Sequence, residues 1–176
     1  MDNVSRTYDN YGNVLSIGND SLSYTRGNLL SSYRGGSYEY NHQGVRFRKT
    51  VGGVTTEYYL DGDKILGEDR HSGGGEITRL RFVYDASGIC GIRRRVGGGR
   101  WENFLYLKDA LGNVTGIMRG VDDRYRLVCR YGYTAFGETA VLNPDGSAGE
   151  FGAEHIASVN PFIYKLRTYK NGLKVC

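Results

Sequence analysis

The sequence has few prolines, no closely spaced cysteines and no long apolar runs, and these absences exclude several classes of protein. Its three cysteines, Cys90, Cys129 and Cys176, show no Cys-x-x-Cys spacing and cannot all pair. This argues against a disulfide framework and a structural zinc site. No run approaches the roughly 18 apolar residues that span a bilayer, and the first residues lack the apolar core of a signal peptide. The chain as written therefore predicts a cytoplasmic location without a membrane-spanning segment.

The surplus of positive charge is small and scattered. The formal net charge is +4, because 23 lysines and arginines are mixed with 19 acidic residues. The densest basic cluster is Arg93, Arg94 and Arg95, but consecutive residues of a strand point to opposite faces of a sheet. No recognised nucleic-acid-binding motif accompanies this cluster. We therefore expect no specific nucleic-acid partner.

Side chains that could form a catalytic or metal site do not occur in a suitable pattern. His42, His71 and His155 lie far apart, and none is followed by a ligand at zinc-like spacing, so we expect surface or turn histidines. The glycine triplets are not followed by Gly-Lys-Ser/Thr, which argues against a phosphate-binding loop. Cys129 lies in a predicted strand with no histidine close in sequence, which favours a buried apolar thiol over a nucleophile.

Two pairs of acidic residues could be mistaken for paired catalytic acids or a calcium loop. Asp61 and Asp63 lie in an Asp-Gly hairpin turn, and neither this pair nor Asp122 with Asp123 supplies the remaining ligands of an EF-hand. We interpret both pairs as turns. With no catalytic residue, cofactor or metal site predicted, we expect a protein that is not an enzyme.

Tyrosine and glycine are abundant, at 15 and 27 residues in a chain of 176. Tyrosine favours strands because its ring covers a half-buried pleated surface, and glycine allows the positive φ of tight hairpin turns. With only two prolines, this composition predicts an all-β protein of many short strands.

A repeated unit with a leading tyrosine runs through the chain. One copy reads Tyr-Asp-Asn-Tyr-Gly-Asn-Val from Tyr8, and another reads Tyr-Leu-Lys-Asp-Ala-Leu-Gly-Asn-Val from Tyr106. The leading tyrosines are residues 8, 24, 40, 59, 84, 106 and 133, so the unit is constant while the intervening loops vary in length. The predicted structural positions of the repeat are Tyr8, Asp9, Gly12, Tyr40, Gly44, Tyr59, Asp61, Gly62, Tyr84, Asp85, Gly88, Tyr106, Asp109, Gly112, Asn113, Tyr133, Phe136, Gly137 and Glu138.

Each unit predicts an antiparallel β-hairpin: a strand ending in tyrosine, a turn with Asp or Asn and Gly, and a strand starting with an aliphatic residue. Alternation is clearest around Leu80, Phe82 and Tyr84, which we expect on one buried face. No helix is predicted beyond a short one at 153–157. The predicted strands are 39–40, 46–50, 55–60, 64–69, 78–84, 91–96, 101–107, 114–118 and 127–133.

The recurrent Tyr-Asp-x-x-Gly units resemble the YD repeats of the Rhs family. The block 106–138, with Asp-Ala-Leu-Gly-Asn-Val-Thr-Gly and then Tyr-Gly-Tyr-Thr-Ala-Phe-Gly-Glu, closely resembles the start of the Rhs repeat-associated core. Asn-Pro-Phe-Ile-Tyr-Lys at 160–165 also matches that core. The resemblance divides the chain into YD repeats at 1–105, the start of the core at 106–165 and a non-family tail at 166–176.

The resemblance implies a large bacterial protein whose repeats form a curved, spiralling sheet, part of a β-shell around a variable C-terminal toxin. The chain would then be a non-catalytic scaffold, and its partners would be the remaining repeats of the shell and the enclosed toxin. The parent protein would be secreted or located at the cell surface. The family's closing motif and cleavage site do not follow residue 165, so we expect a truncated product or an orphan fragment.

A second interpretation of the tyrosines stays open. A rigid ring offers contact area at a small entropic cost, so an exposed ladder of tyrosines could bind carbohydrate or protein. Cross-strand packing of neighbouring rings is the structural alternative. Repetition once per hairpin favours packing.

Overall fold

A computed structural model of the chain describes residues 4–62, 64–134, 138–164, 167–170 and 173–175. It confirms the all-β class and the repeated antiparallel hairpins. Fourteen strands form an antiparallel sheet in which strand order follows chain order. The chain divides into two compact units, unit 1 (Met1–Arg79) and unit 2 (Leu80–Cys176), which we describe separately.

Unit 1 consists of successive hairpins with no helix among its described residues. Strand β9 (Ile77–Asp85) begins at the end of this unit and continues into unit 2. The strands that lie wholly in unit 1 are β1 (Arg6–Tyr8), β2 (Val14–Ile17), β3 (Asp20–Tyr24), β4 (Leu30–Tyr33), β5 (Gly36–Tyr40), β6 (Arg46–Val51), β7 (Val54–Asp61) and β8 (Lys64–His71).

Unit 2 continues the sheet and adds a short helix and a three-stranded sheet of its own. No helix in the described part of the chain has the length and apolar character needed to cross a membrane. Its elements after β9 are β10 (Gly88–Val96), β11 (Glu102–Lys108), β12 (Val114–Val121), β13 (Arg124–Tyr133), β14 (Thr139–Leu142), α1 (Ile156–Val159), β15 (Phe162–Tyr164), β16 (Arg167–Lys170) and β17 (Leu173–Val175).

The nine predicted strands are all present, although most extend by a few residues at one or both ends. The nine predictions do not include the four strands before residue 36 or the strands β14, β15, β16 and β17, because segments of three to five residues are too short to show apolar alternation. The predicted helix at 153–157 is displaced: α1 begins at Ile156 after His155, whose Nδ1 accepts a hydrogen bond from the Ala157 amide. The side chain of His155 thus caps the helix, and residues 153–155 precede it.

Several hairpins close through two residues in the left-handed conformation. Gly52 and Gly53 have φ of 59° and 75°, as a type I′ turn between twisted strands requires. Asp122 and Asp123 adopt the same conformation, with φ of 46° and 61°, between the paired residues Val121 and Arg124. The turn interpretation of this acidic pair is confirmed.

The face with Leu80, Phe82 and Tyr84 is buried as predicted, since Leu80 is fully buried, Phe82 nearly so and Tyr84 partly. It belongs to an apolar core within unit 2. Cys129 lies in that core, and burial raises the pKa of its thiol, so the interpretation as a buried apolar thiol is confirmed. Among the described residues of unit 2, the buried apolar side chains of this core are Leu80, Phe82, Ile92, Phe104, Tyr106, Val114, Ile117, Cys129, Tyr131, Ile156, Ala157 and Val159.

Unit 1 buries a different set of side chains. Among its described residues, Tyr38 is the one buried apolar side chain, and Thr56, Glu68 and Asp69 are buried with it. Tyr38 lies opposite Lys49 across β5 and β6, and Lys49 lies opposite Thr56 across β6 and β7. Burial lowers the pKa of the Lys49 ammonium group, because the charged form loses hydration.

Candidate functional site

The loops that begin at Asp9 and Asp109 have the same sequence pattern, Asp-x-x-Gly-Asn, and the same hydrogen bonds. In each, carboxylate Oδ1 accepts from the backbone amides two and four residues later, at 2.8–2.9 Å. Oδ2 accepts from the side-chain amide of Asn13 or Asn113, at 2.8 Å. The asparagine side-chain bond, with these backbone bonds, lowers the pKa of both carboxyl groups. The loop is therefore held by its first and fifth residues.

The same five-residue loop recurs with other first residues. Asn41 Oδ1 replaces the carboxylate and accepts from the amides of Gln43 and Val45, both at 3.0 Å. In every copy the first residue's N–H donates to the carbonyl of the fifth. Because Thr and Ser also form such turns, an Asp at the first position could not identify every five-residue loop from the sequence. The first and fifth residues are Asp9 and Asn13, Thr25 and Leu29, Asn41 and Val45, Ser72 and Glu76, Asp109 and Asn113, Thr134 and Glu138, and Asn143 and Ser147.

The tyrosine that precedes a loop connects it to the loop before. Tyr24 donates its hydroxyl hydrogen to the carbonyl of Val14 at 3.0 Å, and Tyr40 donates to that of Leu30 at 2.8 Å. Val14 and Leu30 are the first residues after the preceding five-residue loops. Tyr133 makes the same contact with the carbonyl of Val114, which follows the Asp109 loop. We call this tyrosine-to-carbonyl bond the interlock.

A β-bulge lies next to two of the interlocking tyrosines, Tyr24 and Tyr40, whereas Tyr133 pairs with Thr139 in unbroken register. The strand register shifts immediately before Tyr8, Tyr24 and Tyr40, and each tyrosine then pairs with the residue six positions later. The extra residue, Leu15, Ser31 or Phe47, lies in the partner strand, where it bends that strand and increases the local twist. Residue 108, a lysine, lies after the same shift and pairs with Val114. By register, Lys108 occupies the tyrosine position of this copy, and Tyr106 lies two residues earlier.

Two copies of the repeat have tighter turns. Asp85 Oδ1 accepts from the backbone N–H of Ser87 at 2.7 Å, and Gly88, with φ of 105°, begins the next strand. Gly62 has φ of 61° in the hairpin that pairs Asp61 with Lys64. Here the Asp-Gly positions form direct hairpins, without the five-residue loop.

The remaining repeat positions have varied placements. Tyr59 donates its hydroxyl hydrogen to Asp69 Oδ2 at 3.2 Å, and Tyr84 is partly buried next to its turn. Gly12, Gly44 and Gly112 each occupy the fourth loop position with positive φ. Glu138 closes the Thr134 loop. Phe136 and Gly137 lie outside the described residues.

Asn160 is the centre of a buried polar cluster in unit 2 that the repeat pattern did not reveal. Its Oδ1 accepts the hydroxyl hydrogen of Tyr106 at 2.7 Å and the Phe162 amide at 3.1 Å. Its Nδ2 donates to the Phe162 carbonyl at 2.7 Å and to the Tyr131 hydroxyl at 3.3 Å. The side chain is 2% exposed, so these bonds satisfy polar atoms that water does not reach.

The segment around α1 covers the sheet at this cluster. Tyr131 donates to the Ala157 carbonyl at 3.4 Å, and burial raises the pKa of the Tyr131 hydroxyl. Phe162 meets the ring of Phe82 edge-on, with centroids 4.7 Å apart. Residues 157–162 therefore attach to three strands of unit 2 through a few specific contacts. The Asn-Pro-Phe resemblance was the sequence signal for this segment, but not for its partners.

The described residues do not bring acidic, cysteine and histidine side chains together as a metal site would need. His42 is exposed and His71 is partly exposed, and His71 Nε2 lies 3.5 Å from a carboxylate oxygen of Glu57. On the same face, Arg48 bridges Glu57 at 2.8 Å and Glu39 at 3.2 Å. These contacts form a partly exposed polar ladder on unit 1, in which Arg48 makes the ion pairs.

No protein-family profile matches the chain. It is 26% identical over 144 residues to the tRNA nuclease WapA of Bacillus subtilis. The same identity and length apply to the tRNA3(Ser)-specific nuclease WapA of Bacillus spizizenii. These matches cover 78% of this chain and 6% of each relative. The chain is thus distantly similar to a segment of these two WapA nucleases.

Proposed function

We propose that the chain is a non-catalytic wall segment of a YD-repeat shell that encloses a toxin domain. The interlock carries this proposal. Each of Tyr24, Tyr40 and Tyr133 joins its own loop to the preceding one, so these three copies of the repeat each depend on a neighbour. In such quasi-one-dimensional architectures, stability comes from repeat-to-repeat contacts, and the chain can extend without changing its local structure.

The distant relation to WapA supports this assignment. The similarity covers a small part of each relative, as a segment within a much longer protein would. Those relatives are nucleases, whereas the recurrent residues of this chain serve loops and interlocks. We therefore assign the nuclease activity to another part of such a protein. The parent protein, secreted or at the cell surface, would supply the remaining repeats and the toxin.

The tyrosine-rich binding module is the competing function. Tyr11 is 82% exposed and Tyr8 is 56% exposed, so some rings are available to a carbohydrate or protein ligand. Tyr24 and Tyr40, in contrast, direct their hydroxyl groups into the sheet. The repeat tyrosines that define the pattern thus favour a structural role, and a glycan array with the purified chain tests the alternative.

Sequencing of the locus on both sides of the coding region tests the scaffold proposal. We expect further Tyr-Asp-x-x-Gly repeats in the same frame, followed by a closing motif and a variable C-terminal domain. An isolated gene with a native stop and no such repeats nearby would contradict the shell assignment.

Incubation of the purified chain with total tRNA tests the absence of catalysis. We expect intact tRNA after prolonged incubation, with and without divalent cations. Cleavage that co-elutes with the chain through two chromatographic steps would contradict the proposal and make the chain itself a nuclease.

A further inference from the structure

The copy of the repeat that begins at Asp109 lacks the ring of an interlocking tyrosine. Lys108 pairs with Val114 after the bulge, just as Tyr24 pairs with Leu30. The lysine side chain extends to the preceding turn, where its Nζ donates to Ser87 Oγ at 3.1 Å. It therefore reaches back as the tyrosines do, but it provides only a thin aliphatic stem where they provide a ring.

A cavity of about 400 Å³ lies at this position among the described residues of unit 2. Its lining includes the apolar residues Ile89, Val114 and Phe162 and the polar residues Lys108 and Ser87. Val114 is also the residue whose carbonyl accepts the interlock from Tyr133. The cavity is thus lined by residues of two successive turns, the one that Lys108 precedes and the one to which its side chain reaches back.

The chemistry of the walls favours a neutral ring with one polar group. Aliphatic and aromatic side chains bind a ring, and a hydroxyl group can share hydrogen bonds with the ammonium group and Ser87. Two carboxylates lie near the single positive charge of Lys108. Asp109 lines the cavity, and Asp85 accepts the Ser87 hydroxyl hydrogen at 2.7 Å. This surplus of negative charge disfavours an aromatic carboxylate. A phenol fits these requirements.

We propose that this cavity is a socket for a tyrosine side chain supplied by another polypeptide segment. The incoming ring would occupy the volume that the tyrosine fills in other copies of the repeat, next to the stem of Lys108.

Titration of the full chain with p-cresol, which reproduces the tyrosine side chain, tests the socket. We expect saturable binding in an amide-resolved NMR titration, with shifts concentrated at Gly88, Ile89, Gly112 and Val114. Benzoate, a ring of similar size with a negative charge, should bind at least several-fold more weakly. Absence of saturable p-cresol binding, or shifts spread over unit 1, would overturn the proposal.

The substitution Lys108→Tyr supplies the ring from the chain itself. It should abolish p-cresol binding and raise the midpoint of thermal unfolding by about 2–4 °C. Lys64→Tyr makes the same change at an exposed strand position of unit 1 and should leave both properties unchanged. Full p-cresol binding by folded Lys108→Tyr would overturn the proposal.

Ile89→Phe provides a second test that does not alter Lys108. The larger side chain narrows the cavity from its apolar wall, so p-cresol should bind several-fold more weakly if the proposal holds. Unchanged affinity would place the phenol elsewhere and overturn the proposal, including in the case that Lys108→Tyr does not fold.

Discussion

Unit 1 and unit 2 share the five-residue loops and the interlocking tyrosines, but they bury different side chains. The described part of unit 2 has twelve buried apolar side chains, whereas the buried side chains in the described part of unit 1 are Tyr38, Thr56, Glu68 and Asp69. A covering segment accounts for the difference within unit 2, because α1 and Phe162 lie against its strands. The loops and interlocks thus hold neighbouring strands together in a sheet. An apolar core forms only where a further segment packs against a face of that sheet.

Polar contacts occupy both faces of unit 1. Arg46 stacks on Tyr38 with its guanidinium carbon 4.5 Å from the ring centroid, and donates to the Tyr40 hydroxyl at 2.9 Å. Buried Glu68 pairs with Arg70. A buried ion pair offsets its desolvation cost only in part, so such a face stabilises less than an apolar one. We expect unit 2 to be the more stable of the two.

The largest expected effect comes from truncating the core of unit 2. Ile117→Ala should lower the free energy of unfolding by about 2–5 kcal/mol, because Ile117 is fully buried and its removal leaves a cavity. Chemical denaturation measures the change, and amide hydrogen exchange should locate it in unit 2. Leu66→Ala, at a 40% exposed residue of unit 1, is the control and should change stability by less than about 0.5 kcal/mol. Similar losses for both variants would remove the contrast between the units.

A single substitution at Asn160 should weaken the attachment of α1 and Phe162 to the strands of unit 2. Asn160→Ala leaves the Tyr106 hydroxyl without its buried acceptor, and we expect a loss of about 1–3 kcal/mol in unfolding free energy. A double-mutant cycle with Tyr106→Phe measures the coupling. Strictly additive losses would show that the two side chains do not depend on each other.

Removal of a single interlock should have a smaller effect. Tyr40→Phe keeps the ring but loses the bond to the Leu30 carbonyl, and we expect a loss of about 0.5–1.5 kcal/mol. Tyr8→Phe is the matched control, because Tyr8 is 56% exposed and precedes the first loop. Denaturation midpoints compare the two variants. An equal effect of the control would argue against the interlock as a stabilising contact.

The smallest expected effect is a change in how stability depends on pH. It compares the Asp109 loop of unit 2 with the Asn41 loop of unit 1. The contribution of ionised Asp109 is present above its unfolded pKa of about 3.9 and is lost as pH falls through the lower folded pKa. Asn41 forms the same loop without a charge. Asp109→Asn should therefore reduce the loss of stability between pH 7 and pH 3, and Asn41→Asp should increase it. Denaturation midpoints at the two pH values give the comparison, and identical pH dependence in all three proteins would contradict it.

Sequence patterns were sufficient for the local structure because turn residues and alternation act over a few positions. They predicted the hairpins, the buried face of Leu80 and Phe82, and the turn at Asp122. They did not distinguish Tyr106 from the interlock position at Lys108, because a bulge changes the register and only the paired strand reveals it. The partners of Asn160 were also beyond prediction, since Tyr106 and Tyr131 lie 54 and 29 residues away in sequence.

The sequence by itself determined that this protein is a series of short antiparallel strands, because each Asp-x-x-Gly turn and each alternating strand is stabilised by its own neighbours. The tertiary structure alone decided which tyrosines interlock, which face acquires an apolar cover, and where a ring is missing. Those outcomes depend on strand register and on contacts between distant segments, whose free energy is realised only when the segments meet.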